Sequence, residues 1–174
     1  MRSKYLYLLV AMVVCLALVV SGCGMIAEKA TEKATEKAIE NATGGQAKVD
    51  LSNKDGSVEI KGNDGSSMKM GGTNEWPKTV PSDVPKFDGG KISSVIESNN
   101  EKSKGVMVGF DEVSVASFDK IKSSLEGSGW KISMTSKSDD GYMIIASKEK
   151  RQYTVNVSEK TKGLITYSEE VAKP

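Results

Sequence analysis

SVASFDKIKSSLEGSGWKISM, residues 114–134, decides the fold. Val115, Phe118, Ile121 and Leu125 recur at intervals of three and four, the spacing that lines one side of a helix. Ser114 is placed to cap its start and Gly127 to stop it. From Trp130 the period drops to two, with Trp130, Ile132 and Met134 alternating with polar residues as in a half-buried strand. Everything around this helix reads as strand. Upstream, Ile92, Ser94 and Ile96 share a face, as do Val106, Val108 and Phe110, and the polar loop Asn99–Lys104 makes them a hairpin. Downstream, Asp139-Asp140-Gly141 turns into Tyr142-Met143-Ile144-Ile145, apolar on both faces and so a central strand. Tyr153, Val155 and Val157 follow, then Leu164-Ile165-Thr166-Tyr167. One helix cannot cover both faces of such a sheet. Residues 91–174 are therefore expected to form an α+β domain, an antiparallel sheet with one helix on one face. The other face is left to water, to the preceding segment or to a partner.

Three segments precede this domain. Residues 73–90 carry Pro77, Pro81 and Pro85, and proline pushes its predecessor toward extended backbone. They predict a strap that lays Trp76, Val80, Val84 and Phe87 along the domain. The spacing is PxxxP, which misses the three-residue period of polyproline recognition. Residues 46–72 alternate Val49 with Leu51, Val58 with Ile60 and Met68 with Met70 around Asp55-Gly56 and Asp64-Gly65, the signature of a short β-meander. Three such strands bury too little to stand alone. A calcium loop of the EF-hand kind fails, because its first position would fall on Leu51 or Ile60. Residues 28–43 repeat Glu-Lys-Ala-Thr with small variations and end at Gly44-Gly45. Ala, Glu and Lys favour helix. A period of four overruns the 3.6-residue turn, so the Ala positions spiral and make no straight apolar seam. A charged, solvated spacer helix over 23–45 is expected.

The N-terminus sets the address. Arg2 and Lys4 precede an apolar run from Leu6 to Val20, shorter than the roughly 20 residues a spanning helix needs. Val20-Ser21-Gly22-Cys23 then resembles, at all four positions, the lipobox of bacterial lipoproteins. The resemblance implies that 1–22 is a signal peptide, removed together with Cys15, and that the Cys23 sulfur carries a diacylglyceryl group. It often implies acylation, such as palmitate, on the new N-terminus as well. Two or more buried chains anchor stably where one is marginal. The expected place is the extracytoplasmic side of the cell membrane, or the outer membrane where the cell has one.

A second resemblance is carried by Val84-Pro85-Lys86-Phe87 and by Leu125 to Gly129-Trp130 at the helix-to-strand junction. These look like small extracytoplasmic bacterial lipoproteins that join a Glu-Lys-Ala-rich spacer to a C-terminal domain of unknown function. The similarity covers most of residues 25–168. Its motifs are structural, so it implies an architecture and brings no catalytic residues.

Composition limits the chemistry. Removing Arg2 and Lys4 leaves 22 of the 24 Lys and Arg against 23 Asp and Glu, a balance with no electrostatic footprint for nucleic acid. With Cys23 lipidated no thiol remains for a disulfide, so a packed core must hold the fold. Histidine is absent, which removes Ser-His-Asp and Cys-His arrangements and the commonest metal ligand. Ser-x-x-Lys occurs at Ser66/Lys69, Ser117/Lys120, Ser128/Lys131 and Ser147/Lys150, but about three such pairs are expected by chance and the companion motifs of penicillin-binding enzymes are missing. Acid pairs stand at Asp111-Glu112, Asp139-Asp140 and Glu169-Glu170, and neighbouring acids on a strand point to opposite faces. Met68 and Met70 place two thioethers on one strand face, a conceivable soft-metal site more simply explained as sheet packing. No cofactor or metal site is expected. The sequence thus points to a non-enzymatic, membrane-anchored binding or assembly module of the cell envelope, with an envelope protein or polymer as partner. The alternative is a small envelope hydrolase using Ser/Lys or carboxylate chemistry.

Overall fold

The structure, a computed structural model, describes residues 28–51, 53, 55–72, 74–159 and 161–171. The segment 1–22 expected to be a signal peptide, the lipobox-like Val20-Ser21-Gly22-Cys23 and its expected anchor Cys23 lie outside the described residues. Contacts divide the chain into two compact units, 1–35 and 36–174. In chain order the elements are α1 (Glu28–Ala42), β1 (Ala47–Asp50), β2 (Val58–Gly62), β3 (Ser67–Met70), β4 (Lys91–Asn99) and β5 (Ser103–Asp111). Then come α2 (Ser117–Gly127), β6 (Lys131–Lys137), β7 (Tyr142–Lys148), β8 (Arg151–Ser158) and β9 (Lys162–Glu170). Among the described residues two helices and nine strands make a mostly β fold, compatible with the α+β class. Among the described residues no helix is long and apolar enough to cross a membrane.

All nine strands join one antiparallel sheet in the order β1-β2-β3-β4-β5-β9-β8-β7-β6. The chain walks outward-in from β1 to β5, leaves the sheet through α2, re-enters at the far edge as β6, and walks back until β9 meets β5. The jump from β5 to β6 crosses four strand spacings, about 19 Å. An 11-residue helix is about 16 Å long, so α2 together with its short connections bridges that gap. The meander is no separate layer. Its third strand pairs with β4 through Met70↔Ile96 and Met68↔Ser98, so it extends the same sheet. A meander too small to stand alone is held here by backbone pairing along its edge.

The core follows from the strand alternation. Val106, Val108 and Phe110 of β5 align with Tyr167, Ile165 and Gly163 of β9, and these with Tyr153, Val155 and Val157 of β8. Ala146, Ile144 and Tyr142 of β7 complete the rows, and every side chain in them is buried. Phe118, Ile121 and Leu125 of α2 and Val80, Val84 and Phe87 of the strap belong to the same cluster. Phe118 meets Tyr142 edge-on at 5.3 Å, and Phe87 meets Phe110 edge-on at 4.8 Å. Gly163 makes the second contact possible, because a Cβ there would lie 2.7 Å from a Phe87 ring carbon and 2.9 Å from Val113.

The helix boundaries depart from their sequence signals. Ser114 does not cap α2. Its Oγ accepts the Ala116 N–H, and its carbonyl accepts from Ser117, closing a turn one step before the helix. At the other end Gly127 is still helical, and the reversal is made by Gly129 at φ 77°. There the Trp130 N–H donates back to the Leu125 carbonyl at 2.9 Å, a left-handed glycine exit. At the N-terminal side, α1 stops at Ala42 and Gly44 and Gly45 take φ 63° and 74°. The helix is not solvated along its whole length. The third repeat puts Ile39 where the earlier ones have Thr31 and Thr35, and Ile39 is buried. The Glu36 carboxylate accepts the Leu51 N–H at 2.8 Å. Ile39 and Val49 are the only buried apolar residues outside the main cluster among the described residues.

The strap is fastened at one ion cluster. The Asp83 carboxylate accepts Lys148 Nζ at 2.8 Å and Arg151 at 2.9 Å, all three side chains being less than a third exposed. The backbone carbonyl of Asp83 accepts the Trp130 indole N–H at 3.2 Å, and the Pro85 carbonyl accepts the Tyr153 hydroxyl at 3.3 Å. Lys148 above all, with Arg151, holds the Asp83 carboxyl below its ordinary range. A carboxyl whose pKa falls on folding stabilises the fold above its unfolded pKa, near 4, and that contribution is lost as pH falls through the folded value. Asp83→Asn is therefore expected to cost roughly 1–3 kcal/mol at pH 7. The gap to the wild type should close as the pH is taken below about 4. Thermal midpoints followed by Trp fluorescence across that range check it; a gap that stays constant with pH would mean that the charge on Asp83 does not hold the strap.

Candidate functional site

On each strand the residues between the core rows point the other way. One such row crosses eight strands, from Val58 in β2 through Met70, Ile96, Met107, Thr166, Thr154 and Ile145 to Met134 in β6. On one side of it runs Val49, Ile60, Met68, Ser98, Gly105, Ser168, Gln152 and Ser147. On the other runs Ser94, Gly109, Leu164, Asn156, Met143 and Ser136. None of these 22 positions carries a charge, and Lys131 beside Ser147 ends the set at its outer corner.

Exposed apolar side chains gather on the same rows. Met68, Met107, Met134 and Leu164 are 40%, 39%, 51% and 39% exposed, and Val171 is the only other large apolar residue so exposed among the described residues. The opposite side of the meander is the reverse. Asp50, Glu59, Lys69 and Glu97 line up across β1–β4, with Lys61–Glu59 at 3.2 Å and Lys69–Asp55 at 2.9 Å. Ser57, donating from its hydroxyl and backbone, and Lys69 hold the Asp55 carboxyl far below the usual range. The meander thus carries its charge on one side, and on the other side the sheet has an uncharged, partly apolar central patch bounded by Lys91, Asp111 and Lys162 at one end and by Glu170 at the other.

The candidate catalytic residues do not converge. The Ser117 hydroxyl donates to the Ser114 carbonyl at 2.6 Å, while Lys120 turns away to Asp88 on the strap. Ser66 donates to Asp64 at 2.6 Å, and Lys69 reaches Asp55. The Ser128 carbonyl accepts Lys148 rather than meeting Lys131. Asp111 pairs with Lys162, Glu112 with Lys91, and Glu169 accepts the Tyr167 hydroxyl. Asp111 and Glu169 sit at opposite ends of the β5–β9 ladder, about seven residues or 24 Å apart, far beyond the separation of paired glycosidase carboxylates. Asp139 and Asp140 occupy the β6–β7 turn. Met68 and Met70 both lie on the neutral rows, and among the described residues no group of three His, Cys, Asp or Glu is placed to hold a metal.

Two shallow grooves lie among the described residues. One, of about 680 Å³, lies between strap and α2 over Trp76, Val80, Val84 and Ile121. The other, of about 330 Å³, lies by Lys104, Arg151 and Glu169. In the first, Lys120 is spent on Asp88; in the second, Arg151 is spent on Asp83. No protein-family model, curated protein or solved structure matches this chain.

Sequence reading left the far face open without seeing its composition. The signal was present in β8, where Gln152, Thr154 and Asn156 alternate with Tyr153, Val155 and Val157 without a charge. Extending it across the sheet needs the registers, which join segments distant in sequence.

Proposed function

We propose that this protein is a lipid-anchored lipoprotein of the extracytoplasmic face of the cell membrane, and that its sheet is a non-catalytic binding or assembly module. Cys23 is the anchor, on the strength of Val20-Ser21-Gly22-Cys23 and the short apolar run before it. On this reading α2 and the strap cover one face of the antiparallel sheet. The opposite face meets an envelope protein or polymer. The observation that carries it is the set of 21 uncharged positions, leaving out buried Val49, that hold Met68, Met107, Met134 and Leu164, four of the most exposed apolar side chains. Contiguous exposed apolar surface of this kind marks interaction sites.

A photo-crosslinking amino acid placed at Thr154, at the centre of these rows, should give adducts in intact cells. The same probe at Glu59, on the charged side, should not. In the same cells a fatty-acid analogue should label the wild type and not Cys23→Ser. Equal adducts from both probe positions would sink the binding face, and equal labelling would sink the anchor.

A further inference from the structure

We infer that the partner of the neutral face is a second copy of this chain, the two sheets stacking face to face about a two-fold axis. This rests on the binding-module reading above and names its partner. The first support is charge. The uncharged centre of this face offers no complementarity to an acidic or basic partner, and charge complementarity is the usual source of steering and register. In a two-fold interface the same patch meets itself, so any charge near the axis faces its own like. A neutral patch meets that condition along its whole length.

The second support is area. With buried Val49 set aside, the three rows hold eight, seven and six positions, each covering about 4.8 Å by 6.8 Å. That is about 700 Å² a side and about 1,400 Å² in all, inside the range of specific interfaces. The third is the kind of residue exposed. Met68, Met107 and Met134 are unbranched thioethers, suited to filling an irregular gap between stacked sheets about 10 Å apart. The middle of the eight strands falls between β5 and β9, where Met107 and Thr166 pair. Thr154 and Thr166 hydroxyls there can both donate and accept, so they can satisfy identical groups across the axis.

The test uses the full chain in intact cells and a short bis-maleimide, with the chain lacking any added cysteine as background. Thr166→Cys should crosslink to a species of twice the chain mass that contains this chain alone. Glu59→Cys should give none. Adding Thr154→Lys to Thr166→Cys should lower the yield at least tenfold. If Thr154→Lys changes the circular dichroism, Met134→Lys at the exposed rim takes its place, with the same loss expected. Adducts between Thr166→Cys and a different protein or polymer would overturn self-pairing and leave the binding-module reading standing. No adduct of any kind from Thr166→Cys, together with none from the photo-probe at Thr154, would overturn both. Equal dimer yields from Thr166→Cys and Glu59→Cys would also overturn self-pairing.

Discussion

Trp130→Ala is expected to destabilise the sheet domain by about 3–5 kcal/mol, the usual cost of deleting a buried aromatic and leaving its cavity. Trp130 is 4% exposed and its ring lies 6.0 Å from that of Tyr153. The Arg151 guanidinium stands 5.1 Å from the ring centroid, and the indole N–H donates to the Asp83 carbonyl. One truncation therefore empties core volume, orphans a carbonyl of the strap and removes the surface on which Arg151 rests. Domains of this kind have about 5–15 kcal/mol in total, so the loss is a large share. At this chain length 1 kcal/mol moves the thermal midpoint by about 2–4 °C, so a fall of about 6–20 °C is expected. Trp130→Phe keeps most of the volume and loses the donor, and should fall between that variant and the wild type. A Trp130→Ala midpoint within 3 °C of the wild type would show that the junction carries no such weight.

Much of this was legible because the signals are local. The apolar stripe of α2 is a period within eleven residues, and β5, β7, β8 and β9 keep a period of two, whereas bulges at Ile92/Ser94 and Ile132/Met134 turn Ile92 and Ile132 to the core and Ile96 and Met134 to the opposite face, against the single-face reading. The strap was readable from Val80, Val84 and Phe87 beside its prolines. What could not be read is what depends on pairing. Nothing in the meander says that Met70 will lie beside Ile96, and nothing in β5 says that Val108 will lie between Val95 and Ile165. The neutral face exists only once those registers are set. The Asp83 cluster is hidden for the same reason, since it joins a strap residue to two residues of the β7–β8 hairpin far along the chain. Ser114 misled because a cap signal and a turn signal use the same hydroxyl chemistry. Here the turn won, one step upstream of the helix.

Phe118→Ala is expected to cost about 3–5 kcal/mol as well, and its neighbour Lys120→Ala less than about 0.5 kcal/mol. Phe118 is 9% exposed, set edge-on against Tyr142, with Lys137 Nζ 4.6 Å from its ring centroid. Lys120 pairs with Asp88 where both side chains are mostly in water, at 75% and 60% exposure, and exposed pairs contribute little. The two variants together also bear on the hydrolase alternative, because Ser117 directly precedes Phe118 and forms the Ser-x-x-Lys pair with Lys120. Its proton is committed to the Ser114 carbonyl, so the 2.8 Å contact with Tyr142 is one in which the phenol donates to Ser117 Oγ. Burial raises the Tyr142 pKa, which keeps that phenol protonated. A serine held this way has a lone pair occupied and no base beside it, whereas an activated nucleophile needs one within hydrogen-bond reach. The purified protein should therefore resist a serine-directed acylating probe, and Lys120→Ala should leave that result unchanged. Stoichiometric acylation at Ser117 that disappears in Lys120→Ala would instead make this pair a catalytic dyad, and the protein a hydrolase.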